Sequence, residues 1–285
     1  MKTNLLYLFT RTPLHVGAGA SVGAVDQPIQ RERHTGIPII PGSSLKGVFR
    51  DAAQTAYGFD ESGVLRIFGK ADAQDEDGKF RSRAGIASFA EARLLLFPLR
   101  SAKGAFALVT CPLALSRFAR DAGRSEVIPS EPDDMTCLAG KAVVSQERVV
   151  LEEYAFKVAN PFPTNWSACL CGLLDDEVLK HASEHLVLLS NGDFSHFVQT
   201  ACPVNQHVSI DDETGTAKDG ALFNEETVPA ESLFYCALHL TPRDADDEGI
   251  LTSLVGQLEK PQLLQFGGNA TSGLGYATVT LGPKA

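Results

Sequence analysis

The 285-residue sequence lacks long hydrophobic runs and paired cysteines. Its N-terminal apolar segment, LLYLF, ends after five residues at Thr10 and Arg11, so it is too short to cross a membrane and is better explained as a buried strand. The six cysteines include no CxxC pair. In a chain of this length such cysteines are expected to be reduced thiols, which predicts a cytoplasmic protein without a membrane partner.

Positive charge is also scarce. A net charge of −10 argues against a nucleic-acid partner, because phosphate-binding surfaces are rich in lysine and arginine. The charge is unevenly distributed, however: residues 1–50 carry six basic and two acidic side chains, a balance of +4, so the remainder carries −14. The chain can therefore be acidic overall and still present one basic face.

Two common cofactor sites lack their sequence context. A dinucleotide-binding fingerprint needs a helix directly after its glycines, whereas the glycine-rich segment FGGNATSGLGY (266–276) is followed by a strand pattern. A tight turn without a ligand remains open for this segment. A zinc site could be drawn from Cys169, Cys171, His181 and His185, but the C-x-C spacing is unusual, and core thiols with surface imidazoles explain these residues better.

The most informative stretch covers residues 13–51. His15 is expected where the first strand ends, and the glycines that follow it predict a mobile loop with little side-chain bulk. Asp26 is the only acidic residue between Arg11 and Arg31. An isolated carboxylate in such a loop is better placed to meet a ligand than to pack in the core, although a loop cap is the alternative.

The second half of this stretch predicts a phosphate site. Pro38 and Pro41 favour an extended segment, and helical spacing of apolar residues then predicts a helix that stops near Gly58. We expect Ser43 and Ser44 to cap the helix start, where free N–H groups attract phosphate. Four-residue spacing puts Lys46 and Arg50 on one face of this helix, and we expect their charges at the same end.

The rest of the chain alternates strands and helices, which predicts an α+β fold with a ferredoxin-like core and long insertions. Residues 204–228 predict a long β-hairpin with a polar turn, too poor in apolar residues to be core and therefore a projecting arm. Further expectations are exposed loops at 72–83 and 123–141, a helix over 166–180 and a helix cap at Asp193.

Three segments together resemble one known family: LHVGAGASVGAVDQPIQRERHTGIPIIPGSSLKGVFRD, the late FGGNATSGLGY and the hairpin VSIDDETGTAKDGALFNEETVP. They are similar to the repeated backbone subunit of the type III-B (Cmr) CRISPR effector complex, a member of the RAMP superfamily. The resemblance implies a single domain over 1–285, with an RNA-recognition-type palm and the hairpin as a thumb. It also implies copies stacked along a guide RNA, next to other Cmr subunits, and cutting of single-stranded target RNA at regular intervals.

The resemblance further assigns roles to residues. Asp26 matches an aspartate needed for cutting, which depends on a divalent metal (Mg or Mn) that we expect Asp26 to hold. His15 matches the family's histidine, and Glu225 or Glu226 its acid beyond the thumb, with Glu225 preferred here. A tyrosine expected just after that acid is Thr227 in this sequence. Guide RNA is expected at the residues named above on the predicted helix and at four residues of the late loop: Gly267, Gly268, Asn269 and Thr271.

Three alternatives stay open, of which a metal-dependent enzyme unrelated to RNA is disfavoured by the missing dinucleotide and phosphate-loop contexts. The chain could be a scaffold that binds guide RNA while another protein cuts, or a guide-processing endoribonuclease of the same superfamily with His15 as base. A cleavage assay on the assembled complex, wild type against Asp26→Ala, distinguishes the scaffold from a cutting subunit. The particle size of the chain mixed with guide RNA distinguishes the guide-processing enzyme, because a filament-forming subunit makes large particles.

Overall fold

The structure is a computed structural model that describes residues 2–19, 21, 23–74, 80–211 and 213–282. The strands in chain order are β1 Lys2–Thr10, β2 Ile39–Ile40, β3 Gly69–Gln74, β4 Phe80–Ala84, β5 Ala87–Phe89, β6 Ala92–Arg100, β7 Phe106–Thr110, β8 Thr136–Ala139, β9 Arg148–Leu151, β10 Tyr154–Pro161, β11 Leu186–Leu188, β12 Val204–Ile210, β13 Ala217–Glu226, β14 Leu233–Leu240, β15 Gln262–Gln265 and β16 Tyr276–Leu281. The α-helices are α1 Gly42–Thr55, α2 Glu61–Phe68, α3 Pro112–Ala122, α4 Thr164–Cys171, α5 Glu177–Lys180, α6 Asn191–Thr200 and α7 Ala245–Leu258.

Most strands form one mixed sheet in the order β15-β16-β1-β14-β6-β7-β11-β8-β10-β9. Strand β1 lies antiparallel between β14 and β16. Its side chains alternate between the two faces of the sheet, and both Tyr7 and Leu8 are buried, so both faces are covered. This double burial explains why the N-terminal segment is continuously apolar rather than alternating.

Helices cover the two faces of this sheet with aromatic contacts. Phe118 of α3 contacts Tyr7 and Tyr235, with ring centroids 6.2 and 5.2 Å away. Phe49 of α1 stacks on Phe89 at 5.1 Å and meets the edge of Phe266 at 6.2 Å. The contact between Phe49 and Phe266 places α1 next to the start of the late glycine-rich loop.

The α+β class predicted from the sequence is confirmed, with a large mixed sheet and helices against it. The hairpin is also present: β12 and β13 pair antiparallel as a separate two-stranded sheet. Within the described ranges, no helix is long and apolar enough to cross a membrane.

Several local predictions are wrong. Residues 69–74 and 80–84 pair as a hairpin instead of a loop, while 75–79 lie outside the described residues. Strand β8 lies inside the predicted loop at 123–141, and the helix predicted over 166–180 ends at Cys171, with α5 following separately. The α6 cap is Ser190, which accepts from Asp193 N, so Asp193 is the third helical residue rather than the cap.

Candidate active site at the base of the hairpin

The hairpin formed by β12 and β13 carries apolar side chains that its own domain does not bury. Val208 and Leu222 are cross-strand partners, and they are 50% and 60% exposed. Side chains alternate along a strand, so Asn224 lies on the same face as Leu222, about 7 Å further toward the palm. The opposite face carries His207 stacked on Phe223 at 5.2 Å. The arm predicted from composition is therefore outside the core, and one apolar face leads directly to its base.

Asp26 lies at this base. Its carboxylate Oδ2 accepts a hydrogen bond from the backbone N–H of Asn224 at 2.9 Å, and its own N–H donates to Asn224 Oδ1 at 2.6 Å. Ala18 and Gln30 bond across to Pro28 and Val16, which ties the two arms of the loop together. The side chain of Asp26 is exposed, as predicted, but it is held by the hairpin and not isolated.

His15 lies beside Glu225, the residue that follows Asn224 on β13. It comes five residues after β1 ends and follows a bridge between Leu14 and Val228, so the prediction that it ends the first strand is wrong. Its Nδ1 donates to the carbonyl of Glu226 at 2.7 Å, because a carbonyl can only accept. Its Nε2 faces Glu225 Oε1 at 3.5 Å. His15 and Asp26 are thus attached to neighbouring residues of β13.

Glu225 is the acid at the centre of this cluster. It is 1% exposed, its Oε1 accepts from Asn269 Nδ2 at 2.6 Å, and its Oε2 lies 3.4 Å from His207 Nε2. Glu225 therefore faces both imidazoles from a buried position. These contacts favour Glu225 over its neighbour as the acid of the site.

Glu226 has a different set of partners. Its Oε2 accepts from Ile29 N at 3.1 Å, and its Oε1 pairs with the guanidinium of Arg31. Arg31 also donates to the carbonyls of Gly36 and Val198, at 2.8 and 2.7 Å. Glu226 and Arg31 therefore fasten the base of β13 to the 29–36 segment and to α6.

The late glycine-rich loop packs against His15. Gly267 has a positive φ of 75°, and a Cβ there would lie 2.0 Å from the carbonyl oxygen of His15. The N–H of Gly268 donates to that same oxygen at 2.9 Å. The imidazole similarly covers Gly17, where a Cβ would meet Nε2 at 2.8 Å. These glycines serve a close approach of the chain to itself, which leaves Asn269 and exposed Thr271 as the loop's polar surface.

Helix α1 is a separate part of the candidate surface. Its N-cap is Pro41, which makes no side-chain hydrogen bond, so the prediction that Ser43 and Ser44 cap the helix is wrong. Both serines lie in the first turn because Gly42 starts the helix, at a position where a Cβ would lie 2.3 Å from the carbonyl of Phe89.

The two basic residues of α1 also differ from each other. Arg50 lies about 12 Å along the axis from Gly42 and donates to the carbonyl of Gly69 at 3.2 Å. It is therefore not at the helix start as predicted. Lys46 is half-buried and stands one turn into the helix. Along α1 it therefore stands closer than Arg50 to the N–H groups of the helix start.

A metal ion would find one exposed carboxylate here, that of Asp26, because Glu225 and Glu226 are buried. In the described part of the chain, no three His, Cys, Asp or Glu side chains are grouped so as to hold an ion. Asp26 Oδ1 has no hydrogen-bond partner within those residues. Mg²⁺ is commonly held by one or two carboxylates together with substrate phosphates and water, and a single exposed carboxylate fits that mode.

The cysteine and histidine set considered for zinc is explained without a metal. All six cysteines are free. Burial raises the pKa of the Cys171 thiol to about 11, while His181 is exposed at a helix end. His185 Nδ1 bonds to the carbonyl of Phe106 at 3.0 Å, so this imidazole is half-buried and not at the surface.

Sequence reasoning missed three residues of the site: Asn224, His207 and Arg31. The register of the hairpin pairs His207 with Phe223, two residues before Glu225. A prediction of that register could have pointed to this histidine. Asn224 and Arg31 act through contacts nearly 200 residues away in sequence, and nothing local indicates them.

Comparisons with known proteins agree on the family. The model of the RAMP superfamily matches residues 8–278. The CRISPR system Cmr endoribonuclease Cmr4 of Pyrococcus furiosus is 35% identical, over 99% of this chain and 96% of that protein. The crystal structure of oligomeric Cmr4 from the same organism superposes with a TM-score of 0.76 at 30% identity, covering 99% and 98% of the two chains. A chain of the type III-B Cmr-beta complex bound to cognate target RNA has the same fold, with a TM-score of 0.76 at 18% identity and coverage of 99% and 97%.

Proposed function

Because the chain belongs to the RAMP superfamily and, within it, to the Cmr4 family, we propose that it is a backbone subunit of a type III-B CRISPR effector complex. In this role it binds guide RNA as a filament of copies beside other Cmr subunits and cuts complementary target RNA at regular intervals. The observation that carries the cutting role is the base of the hairpin, where β13 holds both Asp26 and the partner of His15. The six free cysteines support a cytoplasmic location.

Guide RNA would lie along α1 and the late loop. The N–H groups in the first turn of α1, with no side-chain cap to occupy them, favour a phosphate, and Lys46 adds charge there. The hydroxyls of Ser43 and Ser44 add donors to the same turn. Arg50, Gly267, Gly268, Asn269 and Thr271 extend this surface in the proposal. Phosphate contacts of this kind are blind to sequence, which suits a subunit that must accept any guide and leaves sequence reading to base pairing.

Cutting is proposed at Asp26. The 2′-hydroxyl of the target gives up its proton as it attacks the adjacent phosphorus, and the new O2′–P bond forms as the P–O5′ bond breaks. The departing O5′ takes up a proton, so the products carry a cyclic phosphate and a 5′-hydroxyl. Asp26 would orient the attacking group, and the exposed apolar face of the hairpin supports the unstacking that in-line attack needs. His15 is assigned the proton-carrier role, with Glu225 as its partner.

Asp26 would also hold the proposed divalent metal, Mg or Mn, together with phosphate oxygens of the RNA. When bound, such an ion supplies Lewis-acid stabilisation of the charge that develops on the phosphate. The protein itself would contribute to cutting by holding the backbone of residues 24–27, and with it Asp26, in a fixed position.

The test compares reconstituted complexes containing wild-type, Asp26→Ala or Asp51→Ala subunits. Asp51 is a matched control because it is an exposed aspartate on α1, away from the hairpin. We expect Asp26→Ala to abolish cutting while target-RNA affinity stays unchanged, and Asp51→Ala to behave as wild type. Full-rate cutting by the Asp26→Ala complex would favour a scaffold subunit, and cutting of precursor RNA by the isolated chain would favour a guide-processing enzyme.

A further inference from the structure

Asn224 holds the backbone around Asp26 with both ends of its side-chain amide. Oδ1 accepts from the N–H of Asp26 at 2.6 Å, while Nδ2 donates to the carbonyl of Ala24 at 3.3 Å. The main chain of Asn224 adds two bonds: its N–H donates to Asp26 Oδ2 at 2.9 Å, and its carbonyl accepts from Gln27 N at 3.1 Å. One residue of β13 therefore fixes the position of the loop and the orientation of the carboxylate.

The amide is the side chain that fits this pair of bonds. An asparagine offers an acceptor and a donor at once, whereas an ionised carboxylate of the same shape can only accept. Within the described residues, the other hydrogen bond at Asp26 is from Ser21 N to the main-chain carbonyl, and it does not involve the carboxylate. The direction of the carboxylate thus depends on the hairpin.

The position of Asn224 on the hairpin places its bonds to Asp26 beside the exposed apolar side chains of the same strand. Leu222 and Asn224 share one face of β13, and Leu222 with its partner Val208 forms the exposed apolar surface beside it. Exposed apolar side chains that insert at a base step unstack it. A nucleotide displaced by this surface would press on the same strand that holds the carboxylate.

We propose that Asn224 is a positioning residue that couples the hairpin to Asp26, so that the carboxylate is correctly placed only while β13 is bonded to residues 24–27. The inference rests on the proposed cutting role of Asp26. It assigns Asn224 no contact with the reacting atoms; the residue acts by fixing the 24–27 segment. A displacement of about 1 Å at a reacting group can cost on the order of 100-fold in rate, so loss of this clamp should be visible in kinetics.

The experiment uses the reconstituted complex with wild-type, Asn224→Ala, Asn224→Asp or Asn205→Ala subunits. Asn205 is the matched control because it is an exposed asparagine on β12 of the same hairpin. Single-turnover cutting of a bound target and the Kd for that target are measured on the same preparations. We expect Asn224→Ala to slow cutting by about 10- to 100-fold without a change in Kd, and Asn205→Ala to match wild type.

The Asn224→Asp variant supplies a readout that a merely structural role would not move. Its carboxylate can still accept from the N–H of Asp26 but cannot donate to the carbonyl of Ala24, so it removes one bond of the clamp and keeps the other. Its cutting rate with saturating target should therefore fall less than that of Asn224→Ala, while the target Kd and the melting temperature of both complexes match wild type; a merely structural defect would change all three. Wild-type cutting by Asn224→Ala, or a loss of cutting matched by an equal loss of target affinity, would overturn the proposal. If Asp26→Ala also cut normally, the proposed function itself would fail; if only Asn224→Ala did, the coupling alone would fail.

Discussion

Arg31→Ala is expected to lower the stability of the protein markedly, because it breaks the attachment of the hairpin base. The guanidinium satisfies Glu226 and the carbonyls of Gly36 and Val198, so alanine leaves a buried carboxylate and two acceptors without their donor. Removing one partner of a buried ion pair costs about 3–5 kcal/mol, because the remaining charge stays in a poorly solvated site. For a chain of 285 residues the unfolding entropy is about 0.6 kcal/mol/K, so this corresponds to a fall in melting temperature of about 5–8 °C.

The assay is thermal and urea unfolding of the isolated chain, with Arg33→Ala as the matched control. Arg33 is exposed two residues away, so its loss should change stability by less than about 0.5 kcal/mol. The double variant Arg31→Ala with Glu226→Gln should cost less than the sum of the two single changes, since both remove the same pair. Equal melting temperatures of Arg31→Ala and Arg33→Ala would refute the view that this pair fastens β13 to the 29–36 segment and α6.

Three further outcomes are expected. Lys46→Ala should weaken guide-RNA binding and make the slope of log K against log salt shallower by about 0.7, the value for one phosphate on a single strand; an unchanged slope would remove Lys46 from the phosphate contacts. Although burial opposes it, hydrogen bonds from Thr35 and Arg117 hold the pKa of Glu32 below its ordinary 4.5, so its stabilising effect is complete above that pH and lost as the pH falls through the lowered pKa. The difference in urea midpoint between wild type and Glu32→Gln should accordingly shrink on acidification, and a constant difference would contradict this. Burial raises the pKa of the Cys137 and Cys236 thiols to about 12, so both should resist alkylation at neutral pH in the folded chain and react after unfolding; rapid labelling of native protein would argue against their burial.

The sequence predicts a helix or strand well where the apolar pattern and the residues that end the element are close together in the chain. The N-terminal strand, α1 and the hairpin lie close to where the sequence predicts them, because apolar pattern, proline and glycine determine them locally. The helix over 166–180 was mispredicted because Gly172 and the acidic residues after it interrupt α4, and an apolar pattern alone does not show this break.

The site illustrates what local pattern leaves out. Gly17 belongs to a predicted mobile loop, yet in the structure it makes room for the imidazole of His15, as Gly267 does for the His15 carbonyl. Asp26 looks isolated in sequence because its partner, Asn224, is 198 residues away. Resemblance to a family supplied Asp26, His15 and the adjacent acids; the contacts that distinguish Glu225 from Glu226 required the fold.

Mapping the cuts on one bound target RNA tests the central claim most directly. A labelled target of defined length is incubated with complexes built from wild-type or Asp26→Asn subunits, and its fragments are sized at single-nucleotide resolution. The account predicts an evenly spaced ladder from the wild-type complex and an intact, bound target from the Asp26→Asn complex. The same ladder from both complexes would contradict it.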